Sequence, residues 1–373
     1  MALLSPSRRL RRTPFSEGVE RAGVKAYTVY NHMLLPTVFE SVEADYHHLK
    51  NHVQVWDVSC ERQVEIKGPD AGRLVQMLTP RDLRRMQIGQ CYYVPIVDET
   101  GGMLNDPVAV KLAEDHWWIS IADSDLLYWV NAVAHGWRLD VLVDEPDVSP
   151  LAVQGPKADR LMERVFGPAV HDIGFFKYDM LPFEGKQFVV ARSGYSKQGG
   201  FEIYVDGTDR GMPLWDALFA AGEDLEVRAG CPNLIERIEA GLLSYGNDMT
   251  DDNTPHECGL GRFCNTHTAV GCIGRDALLR VAKEGPVQQI RAIEIKGEPV
   301  PACDHHWPIL ANGKKVGRVS SAAWSPDFAV NVAIGMVRMT HWDEGTELHV
   351  ETPDGVRDAV VKENFWIEER QNV

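Results

Sequence analysis

The sequence contains two copies of one local pattern, a short apolar strand followed by a Gly-Pro pair and an amphipathic helix. The first copy, VEIKGPDAGRLVQML, spans residues 64–78, and the second, LAVQGPKADRLMERVF, spans residues 151–166. In both copies the Gly-Pro pair separates the strand from the helix, where proline suits the first helical turn. The copies start about 87 residues apart, which is too far for a solenoid repeat. The pattern therefore predicts two related α+β domains.

The last part of the chain has a different pattern. After about residue 285, short strands alternate with turns, and Asn312-Gly313 and Pro353-Asp354-Gly355 are typical of hairpin turns. These features predict a separate C-terminal β-barrel or sandwich. A chain of 373 residues is long enough for two or three domains of ~100–200 residues each.

The balance of charge restricts the classes of partner. The chain has 54 acidic and 38 basic residues, a formal charge of −16, whereas a nucleic-acid-binding surface needs clustered basic residues. We interpret the basic run RRLRR at residues 8–12 as a solvated or salt-bridged segment. No apolar stretch approaches the ~20 residues that span a bilayer, and the N-terminal segment lacks the apolar core of a signal peptide. We therefore expect neither a nucleic acid nor a membrane as partner.

The cysteines and histidines do not have the spacing of a metal site. The seven cysteines are scattered along the chain, without a CxxC pair. The neighbours His47-His48 and His305-His306 would diverge within a regular element. The sequence therefore predicts no metal site and no disulfide framework, and free thiols fit a reducing cytoplasm.

One helix is predicted with particular clarity, over residues 232–246. The apolar side chains of Ile235, Ile238, Leu242 and Tyr245 have the spacing of one helical face. Gly246 follows as a typical helix end.

The strand FEIYV, residues 201–205, carries one acidic side chain among aromatic ones. Glu202 and Tyr204 point to the same face of that strand, next to a glycine-rich turn that carries Tyr195 and Lys197. A carboxylate among aromatic rings suits a ligand with N–H donors, such as the edge of a pterin or a purine. The alternative interpretation is the solvated face of a hairpin. Asp106, in MLNDPVAVKL, either forms a turn before its proline or belongs to a site.

Five motifs occur in the order that one protein superfamily shows. They are WDVS at 56–59, NDP at 105–107, SGYSKQGGFEIYV at 193–205, RIEAGLLSYGNDM at 237–249 and VGRVSSAAWSP at 316–326. Together they resemble the glycine cleavage T-protein superfamily, the tetrahydrofolate-dependent methyl and aminomethyl transferases, over nearly the whole chain. Finer details, such as SKQGGFEIYV and GCPNLIERIEAGLLSYGND, resemble the dimethylsulfoniopropionate demethylase branch of that superfamily.

The resemblance implies an α+β fold of three domains, arranged as a cloverleaf around a central folate channel. Two related α+β domains would be followed by a C-terminal β-barrel or jelly-roll-like domain, which agrees with the internal repeat. The expected first domain is discontinuous, binds folate and combines residues 1–53 with 145–284. The second domain is expected over residues 54–144, and the third over residues 285–373.

The resemblance also implies a reaction. One methyl group would pass from dimethylsulfoniopropionate to N5 of tetrahydrofolate, which gives methylmercaptopropionate and 5-methyltetrahydrofolate. A sulfonium already has a neutral thioether as its leaving group, so that holding the amine in line with the S–CH₃ bond supplies most of the acceleration. The expected partners are a small zwitterionic sulfonium and a folate, and the chain is expected to be a monomer or a homodimer.

The family motifs imply roles for particular residues. Glu202 falls on the pterin-binding glutamate, and Asp106 falls on the active-site aspartate, for which we expect an orienting or electrostatic role. The rings of Tyr195 and Tyr204 can hold a sulfonium by cation–π attraction of ~0.5–2 kcal/mol. Other expected contacts are made to folate by Trp118, Ser120 and Arg237, and to the substrate by Lys197 and Tyr93.

Other roles stay open for two of these residues. Lys197 either pairs with the substrate carboxylate or is a solvated loop lysine. Arg237 either serves folate or forms a structural ion pair with Asp248 or Glu239.

Two departures from the family patterns leave the substrate open. The T-protein pattern DVSHM is DVSCE in this chain, with Cys60 and Glu61, which weighs against glycine cleavage and a lipoyl-protein partner. Tyr195 replaces the Trp of the demethylase pattern SGWSKQGG, so another sulfonium or betaine preference is open. The alternatives are a T-protein-like aminomethyltransferase and an N-methyl demethylase of the dimethylglycine or betaine type. A folate-binding accessory protein ranks last, because VGCIGRDAL at 270–278 lacks the Lys and Gln of its motif.

Overall fold

The computed structural model describes residues 7–268 and 271–367 of the chain. The first six and last six residues, which were expected in the first and third domains, lie outside the described residues, and so does the start of the N-terminal segment. Two open sheets and a barrel each enclose a hydrophobic core. Within the described ranges, no helix has the length and apolarity needed to cross a bilayer.

The larger open sheet has six strands and carries Glu202. The strands lie in the order Tyr178–Phe183, Lys186–Ala191, Gly200–Asp206, Val148–Gln154, Val53–Asp57 and Val227–Gly230. All neighbours are antiparallel except the last pair, which is parallel. Helices Ala158–Phe166 and Gly211–Ala221 share one core with this sheet, because apolar side chains such as Leu161 and Leu214 recur at helical spacing and are fully buried.

The second open sheet has five strands, all antiparallel to their neighbours. The strands lie in the order Leu142–Asp144, Gln63–Lys67, His116–Ser120, Val108–Ala113 and Cys91–Tyr93. Helices Ala71–Leu78 and Leu126–Gly136 pack in its core. This sheet holds the strand on which Trp118 and Ser120 lie.

The strand, Gly-Pro and helix pattern occurs twice, as the sequence predicts. In each copy the strand ends directly before the glycine, and the helix begins three residues after it. Gly68 and Gly155 have φ angles of +136° and +121°. A Cβ atom there would overlap the carbonyl oxygen of Asp140 or His52, so that only glycine fits. The same constraint therefore builds both α+β units.

The C-terminal part is a closed barrel rather than a sandwich. Its strands lie in the order Gln288–Ile295, Val330–Arg338, Lys314–Ser325, Trp307–Ala311, Glu347–Thr352 and Gly355–Lys362. Asn312 and Gly313 both have left-handed φ angles, +50° and +71°, as a two-residue hairpin turn requires. Both predicted hairpin turns are confirmed, because each joins two neighbouring strands of the barrel.

One strand bears on the expected domain boundaries. Strand Val53–Asp57 crosses the boundary expected between residues 53 and 54, and it pairs on both sides within the six-stranded sheet. We propose that the first boundary lies after Asp57, in the linker to strand Gln63–Lys67. The other boundaries stay predictions. The remaining elements are the paired strands Ala26–Tyr30 with Met33–Val38 and Ile96–Val97 with Met103–Asn105, and the helices Ser16–Arg21, Val42–Asn51, Leu234–Glu239 and Arg275–Glu284.

The prediction of a helix over residues 232–246 is wrong for the second half of that range. The helix spans Leu234–Glu239 only, and Gly241 adopts a left-handed φ of +66°. A glycine in this conformation directly after the C-cap is a common helix end, and the ring of Phe365 occupies the place where a Cβ of residue 241 would lie. As a result the carbonyl oxygens of Leu242 and Leu243 are available to Tyr195.

Candidate active site

Two carboxylic acids from other parts of the chain, Glu202 and Asp106, lie within electrostatic range of Glu61. Glu202 lies on strand Gly200–Asp206, Asp106 follows strand Met103–Asn105, and Glu61 lies in the linker between the sheets. Burial, followed by the neighbouring Glu202 and Asp106 carboxyls, raises the pKa of Glu61 well above its usual range. Neighbouring negative charge and poor solvation both make an acid harder to ionise.

The strand that carries Glu202 is buried on both faces, so the solvated-hairpin interpretation is wrong. Glu202 is 8% exposed and Tyr204 is 1% exposed. Ser193 Oγ donates a hydrogen bond of 2.5 Å to Glu202 Oε2, which fixes the carboxyl group. Burial nevertheless raises the pKa of Glu202. Tyr204 packs in the cluster between the sheets, its ring centroid 5.9 Å from that of Trp118.

Asp106 is an acceptor with one oxygen free. The Tyr93 hydroxyl donates a hydrogen bond of 2.8 Å to Asp106 Oδ2. Asp106 Oδ1 is buried and has no hydrogen-bond partner in the described part of the chain. Burial raises the pKa of Asp106 to about 7, although the Tyr93 hydrogen bond acts in the opposite direction. The site role of Asp106 is therefore favoured over a turn-forming one.

Trp118 and Ser120 are held by the second sheet. Trp118 Nε1 donates 2.9 Å to Glu65 Oε1, and Ser120 Oγ accepts 3.0 Å from Gln63 Nε2. Both side chains lie on one face of strand His116–Ser120 and adjoin Tyr204 from the first sheet. The two sheets thus meet at predicted site residues.

The loop between strands Lys186–Ala191 and Gly200–Asp206 carries Tyr195 and Lys197. The Tyr195 hydroxyl donates 2.7 Å to the Leu243 carbonyl and 3.0 Å to that of Leu242, so the ring is fixed from its far end. The Lys197 backbone N–H donates 2.7 Å to Glu236 Oε1. The Lys197 ammonium has no ion pair with any residue that the structure describes, so neither of its two expected roles is decided.

Arg237 forms the ion pair considered for it. Its Nη1 lies 2.9 Å from Asp248 Oδ2, and its Nη2 donates 2.5 Å to Ser321 Oγ of the barrel. Asp248 in turn accepts 2.6 Å from Ser320 and 2.7 Å from Ser321. This buried cluster joins the barrel to the segment that holds Tyr195. A contact of Arg237 with folate stays a prediction.

Sequence reasoning missed two residues of the site, Glu61 and Tyr30. Burial, followed by the charges of Glu61 and Asp106, raises the pKa of Tyr30 well above its usual range, so this phenol lies within electrostatic range of both acids. Glu61 is visible in the sequence because DVSCE replaces the family pattern DVSHM. That change alone indicates the branch of the family and does not indicate a ligand-binding role for Glu61. No sequence pattern distinguishes Tyr30 as a site residue. It lies in a strand whose other residues are mostly exposed.

These features define a class. Two related α+β units and a six-stranded barrel enclose a site of acids and aromatic rings, as in one-carbon transferases of the T-protein type. Residues 15–268 match the GCVT N-terminal domain family, and residues 288–366 match the glycine cleavage T-protein C-terminal barrel domain family. The chain belongs to the glycine cleavage T-protein family.

Comparisons with individual proteins agree with the family. The chain is 66% identical over 366 residues to dimethylsulfoniopropionate demethylase DmdA of Ruegeria pomeroyi, covering 98% of this chain and all of that protein. It is 31% identical over 326 residues to an aminomethyltransferase of Clostridium botulinum, covering 85% and 86% of the two chains. The crystal structure of the glycine cleavage system aminomethyltransferase T from Bartonella henselae superposes with a TM-score of 0.86 at 25% identity, covering 97% and 99%. The predicted three-part fold and family are thus confirmed.

Proposed function

We propose that this protein is a tetrahydrofolate-dependent demethylase that transfers one methyl group from dimethylsulfoniopropionate to N5 of tetrahydrofolate. The products are methylmercaptopropionate and 5-methyltetrahydrofolate. Support comes from the full-length similarity to a protein named dimethylsulfoniopropionate demethylase, at about twice the identity found with an aminomethyltransferase. The observation that carries the proposal is a group of three acids near several aromatic rings, in which none of the acids is ion-paired with a Lys, Arg or His of the described residues.

The charge of the site favours a cationic methyl donor. Across residues 7–268 and 271–367, no Lys, Arg or His forms an ion pair with Glu61, Asp106 or Glu202. Electron-rich rings, Tyr30 and Tyr204 among them, adjoin the acids. A sulfonium among these groups gains cation–π and charge attraction in a place that water solvates poorly.

The acceptors of the site fit the N–H edge of a reduced pterin. Asp106 Oδ1 is a buried acceptor without a donor, and Glu202 offers the oxygen that Ser193 does not occupy. Each can receive a hydrogen bond from a ring N–H or an amino group. When bound, tetrahydrofolate supplies the nucleophilic nitrogen N5. Glu202 and Asp106 would then orient the pterin ring so that N5 faces the methyl donor.

The main contribution of the protein to this reaction is to position the two substrates. The S–CH₃ bond breaks with its electron pair left on sulfur, while the lone pair of N5 forms the new N–CH₃ bond and the N5 proton is released. Rigid support of the rings, by Trp118 with Glu65 and by Tyr195 with the Leu243 carbonyl, keeps the donor in line. Asp106, with a pKa of about 7, adds negative charge that balances the cation.

Three further points belong to the proposal. Lys197, whose ammonium is unpaired among the described residues, is assigned to the substrate carboxylate. Arg237 is assigned a positioning role through Asp248, which it holds at 2.9 Å. All seven cysteines are free, which supports a reducing, cytoplasmic compartment.

The experiment compares methyl donors with the purified protein alone. Under anaerobic conditions with tetrahydrofolate, dimethylsulfoniopropionate should yield equal amounts of 5-methyltetrahydrofolate and methylmercaptopropionate without any partner protein. Dimethylglycine, glycine betaine and an aminomethylated lipoyl protein are the matched alternatives. Turnover with one of these and none with the sulfonium would replace the proposal by N-methyl demethylation or aminomethyl transfer.

A further inference from the structure

Glu61 differs from the other two acids of the site in how it is held. Ser193 donates to Glu202 and Tyr93 donates to Asp106. The carboxyl group of Glu61 has neither a hydrogen bond nor an ion pair with any described residue. It is half-buried, and its backbone carbonyl accepts hydrogen bonds of 2.8 Å from Gln63 Nε2 and 3.5 Å from Ser120 Oγ, which hold the residue beside the second sheet. An unpartnered carboxylate in such a place is costly until a ligand with positive charge or N–H groups compensates it.

The charged groups and aromatic rings near Glu61 indicate which kind of ligand would fit there. The titratable groups that face it are the acids Glu202 and Asp106, the phenols Tyr30, Tyr195 and Tyr204, and the thiol of Cys60. None of these supplies positive charge. In the described ranges, no three His, Cys, Asp or Glu side chains are placed to hold a metal ion. An organic cation with apolar substituents is the ligand that both the acids and the rings accommodate.

We propose that Glu61 recognises the positive charge of the methyl donor and so selects small onium compounds over neutral molecules of the same shape. This inference rests on the proposed function and adds the residue that sets its substrate class. Glu202 and Asp106 are committed to the pterin, whereas Glu61 has no donor of its own and is left for the cation.

The arrangement couples cation binding to proton release. The charges of Glu202 and Asp106 oppose the ionisation of Glu61, so the free site retains a proton that a bound cation makes unfavourable. Binding of the donor should therefore release a proton and tighten as the pH rises through neutrality. A neutral molecule of the same shape should bind with little proton release and little dependence on pH.

Calorimetry with an isosteric pair tests the proposal. The ligands are dimethylsulfoniopropionate and 4-methylpentanoate, in which a CH group replaces the S⁺, and folic acid is present to complete the site without accepting a methyl group. The variants are Glu61→Gln, Glu61→Asp as a charge-preserving rescue, and Glu344→Gln as an exposed control. Titration in two buffers of different ionisation enthalpy gives the number of protons released.

We expect Glu61→Gln to weaken sulfonium binding at least about tenfold, the usual size of a lost charge interaction in a buried site, and to reduce proton release below that of the wild type. Binding of 4-methylpentanoate should change less than about twofold, Glu61→Asp should recover part of the preference, and Glu344→Gln should match the wild type. Equal losses for both ligands, or an unchanged preference in Glu61→Gln, would overturn the assignment. Failure of wild-type turnover would instead overturn the proposed function, because the ligand preference is measured without turnover.

Discussion

Replacing Asp106 by asparagine should make the protein more stable at high pH, because the fold holds this carboxyl group at a cost. Burial raises its pKa from the ordinary 3.8 to about 7. Between these values the unfolded chain has lost the proton while the folded chain keeps it, so stability falls as pH rises. At ~1.4 kcal/mol per pH unit, the cost grows by about 3 kcal/mol from about pH 5 to about pH 7 and is constant above it. The amide of the Asp106→Asn variant carries no such cost, and its oxygen can still accept the Tyr93 hydrogen bond.

The assay is thermal unfolding of wild type and Asp106→Asn from about pH 5 to about pH 8.5, with exposed Asp252→Asn as the matched control. For a chain of this length, about 3 kcal/mol corresponds to about 3–4 °C in Tm. The Tm difference between Asp106→Asn and wild type should therefore grow by that amount and then level off near about pH 7.5. Methyl transfer should fall at least about tenfold above about pH 7, where Asp106 of the wild type is ionised, and by less at lower pH. Parallel Tm profiles for the two proteins would refute the claim that Asp106 is a destabilised acid.

Three further predictions concern other residues of the site and one of the Gly-Pro junctions. Tyr93→Phe removes the hydrogen bond that favours ionised Asp106, so the acidic limb of the pH–rate profile should move up by about one pH unit; an unchanged limb would contradict this. Glu202→Ala should weaken folate binding and Tyr204→Ala mainly sulfonium binding, whereas calorimetry showing equal effects on both ligands would refute the division of roles. Gly155→Ala should lower Tm by several degrees, because its φ of +121° and the carbonyl behind it exclude a side chain; a neutral Tm would be inconsistent with that contact.

The fold was largely predictable because its constraints are local. The glycines of the two Gly-Pro junctions need positive φ angles, and the Asn312-Gly313 turn sets its hairpin, so short motifs determine where strands and helices meet. The helix after residue 233 is shorter than its sequence predicts, because helical spacing continues past Gly241. Gly241, which directly follows the C-cap in the left-handed conformation, ends the helix, so this stop was encoded locally although the apolar spacing continues past it.

The site was predictable only in part, for a related reason. Glu202, Tyr204 and Asp106 lie in motifs whose residue types already suggest a ligand. Glu61 and Tyr30 join them through contacts between the linker, the first hairpin and both sheets, and no local pattern encodes such contacts. For Arg237 the sequence left a folate contact and an ion pair with Asp248 or Glu239 open, and the structure shows the ion pair with Asp248.

The most direct measurement follows the methyl group itself. Dimethylsulfoniopropionate with ¹³C-labelled methyl groups and tetrahydrofolate would be incubated anaerobically with the purified protein, and the products followed by NMR. We predict one labelled N5-methyl group on the folate for each labelled thioether released, with both signals absent in Glu202→Ala at low folate. Label in methanethiol or in a methylene bridge of the folate, with no 5-methyltetrahydrofolate, would contradict direct methyl transfer.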